Sequence, residues 1–113
     1  MDVFRIGLIG AGSIGTRHIK AIDELALFEL VAIADPAPAA SKLAKTRGLE
    51  AFADAESMLS KTDVDAVIIA TPTERHHADL MMVLKYCKTV LVEKPITATT
   101  KEADEVTHYA AEQ

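Results

Sequence analysis

The chain has no tryptophan, and only two tyrosines and three phenylalanines among its 113 residues. Stacking platforms for single-stranded nucleic acid need such rings. Positive charge is also in deficit: twelve Lys and Arg stand against seventeen Asp and Glu, for a net charge of −5. A phosphate backbone needs a basic face, so nucleic acid is not expected as a partner. Cys87 is the single cysteine, which excludes an intrachain disulfide and a C-x-x-C metal pair. No apolar run approaches the length of a membrane span. Met1 to Arg5 lead straight into a strand pattern, without a charged leader and a long apolar stretch. These absences point to a soluble protein of the reducing cytoplasm, with no metal site and no membrane partner.

What is present is aliphatic. Half of the residues are hydrophobic, mostly Ala, Val, Leu and Ile, the mix of a parallel sheet covered by helices. The length suits one domain over residues 1–113. Glycine is sparse, yet three of the five glycines fall together in Gly10-Ala11-Gly12-Ser13-Ile14-Gly15, directly after an apolar run. This is the layout of a strand, a tight turn and a helix N-terminus that can hold a dinucleotide pyrophosphate. Gly10 allows the turn, Gly12 leaves room for phosphates, and Gly15 lets the helix pack closely on the strand. The free N–H groups of the first helical turn and the positive end of its dipole face the anion.

The remaining pattern supplies the context that a lone glycine motif lacks. Val3 to Ile9 reads as the first strand, and Ile14, His18, Ile19, Ile22, Leu25 and Ala26 form an apolar stripe on the helix that follows. Leu30 to Ala34 reads as a buried strand ended by Asp35-Pro36. A helix over about 39–47 has Leu43 and Ala44 inward and Gly48 as its C-terminal cap. Glu50 to Ala53 is a short strand, and Asp54 caps a short helix running to about Ser60. Val64 to Ala70 is the clearest central strand. A helix over about 74–86, a strand at Thr89 to Val92 and a helix over about 99–112, capped by Thr97 or Thr99, complete the chain. This alternation predicts an α/β fold, a doubly wound parallel sheet in a three-layer α/β/α sandwich. The expected strand order is 3-2-1-4-5, with a ligand crevice between strands 1 and 4.

Ligands bind such sheets outside the carboxyl ends of the strands. The glycine turn, Asp35, Thr71-Pro72 and Glu93-Lys94-Pro95 all fall at that edge. Asp35 lies twenty residues beyond Gly15, where a carboxylate accepts hydrogen bonds from the adenosine ribose and repels a 2′-phosphate. The first cation after it is Lys42, so NAD is preferred over NADP. Lys94 can polarise a carbonyl or bind a substrate hydroxyl; a solvated Glu93–Lys94 pair at a strand end is the other reading. His76 can face the crevice, whereas His77 reads as a surface histidine. His18 reads as packing at the first helix, and Cys87 as a small buried apolar residue.

Taken together, Gly10-Ala11-Gly12-Ser13-Ile14-Gly15, Ala34-Asp35-Pro36, Thr71-Pro72-Thr73-x-x-His76 and Glu93-Lys94-Pro95 resemble the N-terminal domain of the Gfo/Idh/MocA oxidoreductases. The resemblance spans essentially the whole chain, and Glu93-Lys94-Pro95 is its most specific part. It implies that Gly10, Gly12, Ser13, Ile14 and Gly15 line the dinucleotide, that Asp35 holds the adenosine ribose, and that Thr71, Pro72 and His76 line the cofactor cleft. Glu93 would lie near the nicotinamide ribose, Lys94 would contact the substrate at the reacting carbon, and the Lys94–Pro95 bond is of a kind often cis in the family. The implied reaction is hydride transfer between a nicotinamide cofactor and a secondary alcohol of a sugar or polyol. Family members carry a second domain that supplies most substrate contacts, and this sequence contains no counterpart. The expectation is therefore a cofactor half-site incompetent for turnover alone, either a fragment of a larger enzyme or a naturally short protein. A stand-alone dinucleotide-binding sensor or subunit is the alternative, and a dihydrodipicolinate-reductase-like enzyme fits Glu93-Lys94-Pro95 poorly. An exposed fifth strand predicts a homo-oligomer.

Overall fold

The computed structural model describes residues 3–87 and 89–112; Met1, Asp2, Lys88 and Gln113, and with them both ends of the expected domain, lie outside the described residues. The elements follow the expected alternation: β1 (Phe4–Ile9), α1 (Ser13–Asp23), β2 (Phe28–Ala34), α2 (Pro38–Thr46), β3 (Glu50–Phe52), α3 (Ala55–Lys61), β4 (Ala66–Ile69), α4 (Thr73–Val83), β5 (Val90–Val92) and α5 (Thr100–Glu112). The five strands form one sheet in the order β3-β2-β1-β4-β5. Every pairing is parallel. Among the described residues no helix is long and apolar enough to cross a membrane.

Side-chain alternation along the central strands builds two cores, one on each face. Ile6 and Leu8 of β1 join Leu30 and Ile33 of β2, Ile68 of β4, and Ile19 and Ile22 of α1. Ile9, Ala32, Ala34, Val67 and Ile69 point the other way, against Met58 and Leu59 of α3 and Leu80 and Val83 of α4. Leu30 and Ile33 share a face despite their odd spacing because the β1–β2 register shifts between Ile6 and Gly7. Such a bulge adds one residue to one strand and restores the alternation beyond it.

Several boundaries differ from the sequence reading. β2 starts at Phe28 rather than Leu30, since Phe28 and Glu29 pair with Phe4 and Arg5. The Phe4 and Phe28 rings meet edge to face, with centroids 5.6 Å apart. β4 begins at Ala66, because Val64 and Asp65 lie outside its ladder. α2 begins at Pro38, at the first helical position, where a missing N–H costs nothing. α1 keeps only part of its expected stripe: Ile19 and Ile22 are buried, whereas Ile14 and Leu25 are exposed. Gly48 takes a positive φ of 71° and ends α2 as expected.

Caps account for two helix starts. The Thr99 Oγ1 accepts the Glu102 N–H at 3.1 Å, and the Glu102 carboxylate reaches back to the Ala98 N–H at 3.2 Å. Thr99, rather than Thr97, therefore caps α5. Asp54 Oδ1 accepts the Ser57 N–H at 2.8 Å. This hydrogen bond holds the Asp54 carboxyl below its usual value of 3.8. A folded-state value lowered in this way stabilises the fold above the ordinary carboxylate range, and the gain is lost as pH falls through the folded value. Asp54→Ala is thus expected to lower the midpoint of thermal unfolding slightly at neutral pH, with the gap to the parent closing well below pH 3.8. Paired melting curves at the two pH values check this.

Candidate functional site

Four strand ends converge on one edge because the ladders continue into the loops. The Gly10 N–H donates to the Ala34 carbonyl at 2.9 Å, the Ala70 N–H to the Ile9 carbonyl at 2.8 Å, and the Asp35 N–H to the Phe52 carbonyl at 2.8 Å. The Glu93 N–H donates to the Ile69 carbonyl at 3.2 Å. A crevice of about 380 Å³ opens there, within the size range of small-molecule sites. Its walls come from Gly10, Gly12, Ser13 and Ile14 at the turn, Ala34 and Asp35 after β2, and Ala70, Thr71 and Pro72 after β4.

The glycines divide the work. Gly10 has a φ of +91°, and a Cβ on it would lie 2.8 Å from the carbonyl carbon and oxygen of Ala70. A Cβ on Gly15 would lie 2.1 Å from the Gly10 oxygen. Gly15 is buried at the strand–helix contact rather than on the crevice wall. Gly12 has no heavy atom within 4 Å of where its Cβ would stand. The fold therefore leaves open space beside Gly12, in front of the α1 N-terminus. Gly12 itself is the N-cap, with no side-chain hydrogen bond to satisfy the first-turn N–H groups. That open space and those donors fit a pyrophosphate.

Asp35 is tied to the same turn. Its Oδ2 accepts the Ala11 N–H and its Oδ1 accepts the Ala37 N–H, each at 2.8 Å. The carboxylate thus braces the glycine turn from the end of β2. Each oxygen keeps a further lone pair able to accept another hydrogen bond.

His76 is only 1% exposed and does not reach the crevice surface, where the sequence reading had it. It sits on the buried stripe of α4 with Asp79, Leu80 and Val83. Its Nε2 lies 2.9 Å from the Thr71 carbonyl, and its Nδ1 lies 2.9 Å from that of Pro95 and 3.1 Å from that of Ile96. The ring therefore bridges the loops after β4 and β5. A neutral imidazole donates at one nitrogen only, whereas the doubly protonated ring donates at both.

Asp79, which sequence reasoning passed over, is also buried. The Thr71 hydroxyl donates to its Oδ2 at 2.7 Å, and Arg75 Nη2 lies 3.9 Å from its Oδ1. The available signal was the spacing: His76 and Asp79 are polar residues at helical steps on an otherwise apolar stripe.

Glu93, Lys94 and Pro95 follow β5 on the ligand edge, with Lys94 and Pro95 exposed and the Lys94–Pro95 bond cis. His18 crosses from α1 to hydrogen-bond the Glu93 carboxylate through Nε2. It does more than pack at its helix, and no local spacing announces the contact. His77 is not a free surface histidine either: its Nε2 lies 3.2 Å from Glu105 Oε2 on α5. Cys87 is buried, as expected, with its Sγ 3.4 Å from the Thr89 carbonyl. Among the described residues there is no cluster of three or more His, Cys, Asp or Glu groups able to hold a metal ion.

A parallel 3-2-1-4-5 sheet with a glycine turn, a carboxylate after β2 and an open helix N-terminus at one edge defines a Rossmann-type dinucleotide-binding domain. Residues 4–113 match the family described as oxidoreductases with an NAD-binding Rossmann fold, and the chain belongs to that Gfo/Idh/MocA family. It is 36% identical over 103 residues to the rhizopine catabolism protein MocA of Rhizobium meliloti, across 91% of this chain and 32% of that protein. It is 40% identical over 93 residues to inositol 2-dehydrogenase of Rhizobium meliloti strain 1021, across 81% of this chain and 28% of that protein. Its fold matches the WlbA dehydrogenase of Bordetella pertussis, solved with NADH and UDP-GlcNAcA. The TM-score is 0.92 at 30% identity, over 99% of this chain and 34% of that one. Apo scyllo-inositol dehydrogenase of Lactobacillus casei matches with a TM-score of 0.91 at 29% identity, over 98% of this chain and 34% of that one. The chain spans about a third of the length of these relatives.

Proposed function

We propose that this domain binds NAD(H) as the cofactor half of a dehydrogenase acting on a secondary alcohol of a sugar or polyol. The open space at Gly12, in front of the α1 N-terminus and beside Asp35, carries this reading. Gly10, Gly12, Ser13 and Ile14 cradle the pyrophosphate through backbone donors, with Gly15 holding the helix against the strand. Asp35 takes the adenosine ribose and disfavours a 2′-phosphate. Thr71 and Pro72 form the opposite wall, and His76 secures that wall from behind. When bound, the nicotinamide ring accepts or donates the hydride.

Glu93 lies toward the nicotinamide ribose, and the Lys94 ammonium holds the substrate oxygen at the reacting carbon. Pro95 fixes the direction of the chain beside them. The inositol dehydrogenases among the relatives favour a polyol or sugar substrate. Catalysis needs substrate held in near-attack geometry, and in this reading the 113-residue chain alone binds the cofactor without turning over. Its buried free thiol fits a reducing, cytoplasmic setting.

Titration with NADH, read by nucleotide fluorescence and calorimetry, tests the reading. Saturable one-site binding is expected, tighter for NADH than for NADPH. Absence of binding to either nucleotide overturns it. A screen of polyols with NAD is expected to show no turnover by the isolated chain.

Self-association belongs to the same proposal. β5 ends the order of the described sheet, and Leu91 on it is exposed. An uncovered parallel edge invites pairing with another chain. Light scattering is expected to give at least a dimeric mass, and a monomeric mass across a wide concentration range would refute this.

A further inference from the structure

The Glu93 carboxylate has its hydrogen-bonding partner at a distance of 75 residues in sequence, on the far side of the glycine turn. His18 stands on α1, one turn beyond Gly15, and its Nε2 meets Glu93 Oε1. Both side chains are half-buried. His18 also lines a small hollow with the apolar side chains of Ile6, Ile22, Ile68 and Leu91. In such surroundings a hydrogen bond to a charged group is stronger than in open water.

The loop after β5 is attached through both main chain and side chains. Glu93 is held to β4 by one N–H bond of 3.2 Å, and the next residues, Lys94, Pro95 and Ile96, are exposed. Behind them, His76 holds the Pro95 and Ile96 carbonyls from α4. The segment that carries Lys94 is therefore pinned from two helices, by His76 on one side of the sheet and by His18 on the other.

We propose that His18 is a positioning residue for the nicotinamide end of the site. By holding the Glu93 carboxylate against α1, it couples the helix that receives the pyrophosphate to the segment that presents Glu93 and Lys94. The inference rests on the dinucleotide reading above. The adenosine and pyrophosphate contacts, made by the glycine turn and Asp35, do not depend on His18. Its effect therefore falls on the half of the ligand that ADP lacks.

The test compares NADH with ADP on the whole chain. His18→Leu is expected to weaken NADH about tenfold, the order of one charge-assisted hydrogen bond, while ADP affinity stays within about twofold. His18→Gln, which keeps an amide donor at similar reach, restores most of the loss. In a Glu93→Ala background His18→Leu adds little, because the pair acts as one unit. If His18→Leu fails to fold, His18→Asn, whose shorter amide falls away from Glu93, replaces it. Equal weakening of NADH and ADP, an unchanged NADH-to-ADP ratio, or no rescue by glutamine overturns the proposal. Parent protein that binds ADP and NADH equally well overturns the nicotinamide-end role alone. Parent protein that binds neither overturns the dinucleotide reading and this proposal with it.

Discussion

Gly15→Ala is expected to lower the thermal unfolding midpoint by about 10 °C or more, whereas Gly12→Ala is expected to melt with the parent. The added Cβ at position 15 would sit 2.1 Å from the Gly10 oxygen. Gly10 cannot retreat, because it is already in the left-handed region at φ +91° and its own Cα faces the Ala70–Thr71 backbone. Relief requires α1 to move away from β1, drawing Ile19 and Ile22 out of the core they share with Leu8 and Ile33. Overpacking of this kind costs about 1–3 kcal/mol, and backbone against backbone stands at the upper end. In a domain of this size each kcal/mol moves the midpoint by about 4–8 °C.

At Gly12 the new methyl meets nothing within 4 Å. The fold tolerates it, but it occupies the space in front of the helix N-terminus. NADH affinity in Gly12→Ala is expected to fall about tenfold or more, the order of losing a charge-assisted contact. Scanning calorimetry and NADH titration of the two variants separate the roles. A Gly12→Ala protein that melts early, or a Gly15→Ala protein that melts with the parent, contradicts the division of work between them.

The second large effect is at Asp35. Asp35→Ala is expected to weaken NADH about 100-fold, with a smaller loss of stability. Two hydrogen bonds from ribose hydroxyls to a carboxylate are worth about 3 kcal/mol together, which is about two decades in affinity. The loss of stability comes from the Ala11 and Ala37 N–H groups, which lose their acceptor when the carboxylate goes. Asp35→Asn separates the two effects. Its amide oxygen can replace one of the two acceptors, but its NH2 group cannot accept. It also removes the negative charge that opposes a 2′-phosphate. NADPH is therefore expected to gain on NADH in Asp35→Asn while stability partly recovers. Calorimetric titration with both nucleotides reads the ratio. An unchanged ratio would show that Asp35 does not discriminate the phosphate.

The glycine turn, Asp35, Thr71-Pro72 and Glu93-Lys94-Pro95 were legible as one ligand edge because a parallel sheet brings the carboxyl ends of its strands together. Recognising short apolar strands between helical stripes was enough to align them. The edge boundaries were less legible. β2 gained Phe28 and Glu29 only because Phe4 and Arg5 lay beside them. The β1–β2 bulge, which puts Leu30 and Ile33 on one face, left no mark in the local pattern.

The alternation of strands and helices, the strand order, the glycine spacing and the carboxylate after β2 were all legible in the residues alone. Each of these is a local signal, carried by hydrophobic period, by glycine spacing or by one residue at a strand end. The side-chain partners came only with packing. It sent His18 to Glu93, placed His76 between the Thr71 and Pro95 carbonyls, buried Asp79 against the Thr71 hydroxyl, and turned both Asp35 oxygens onto backbone donors. A side chain's partner depends on which surfaces meet after packing, and residues 75 positions apart carry no spacing that records it.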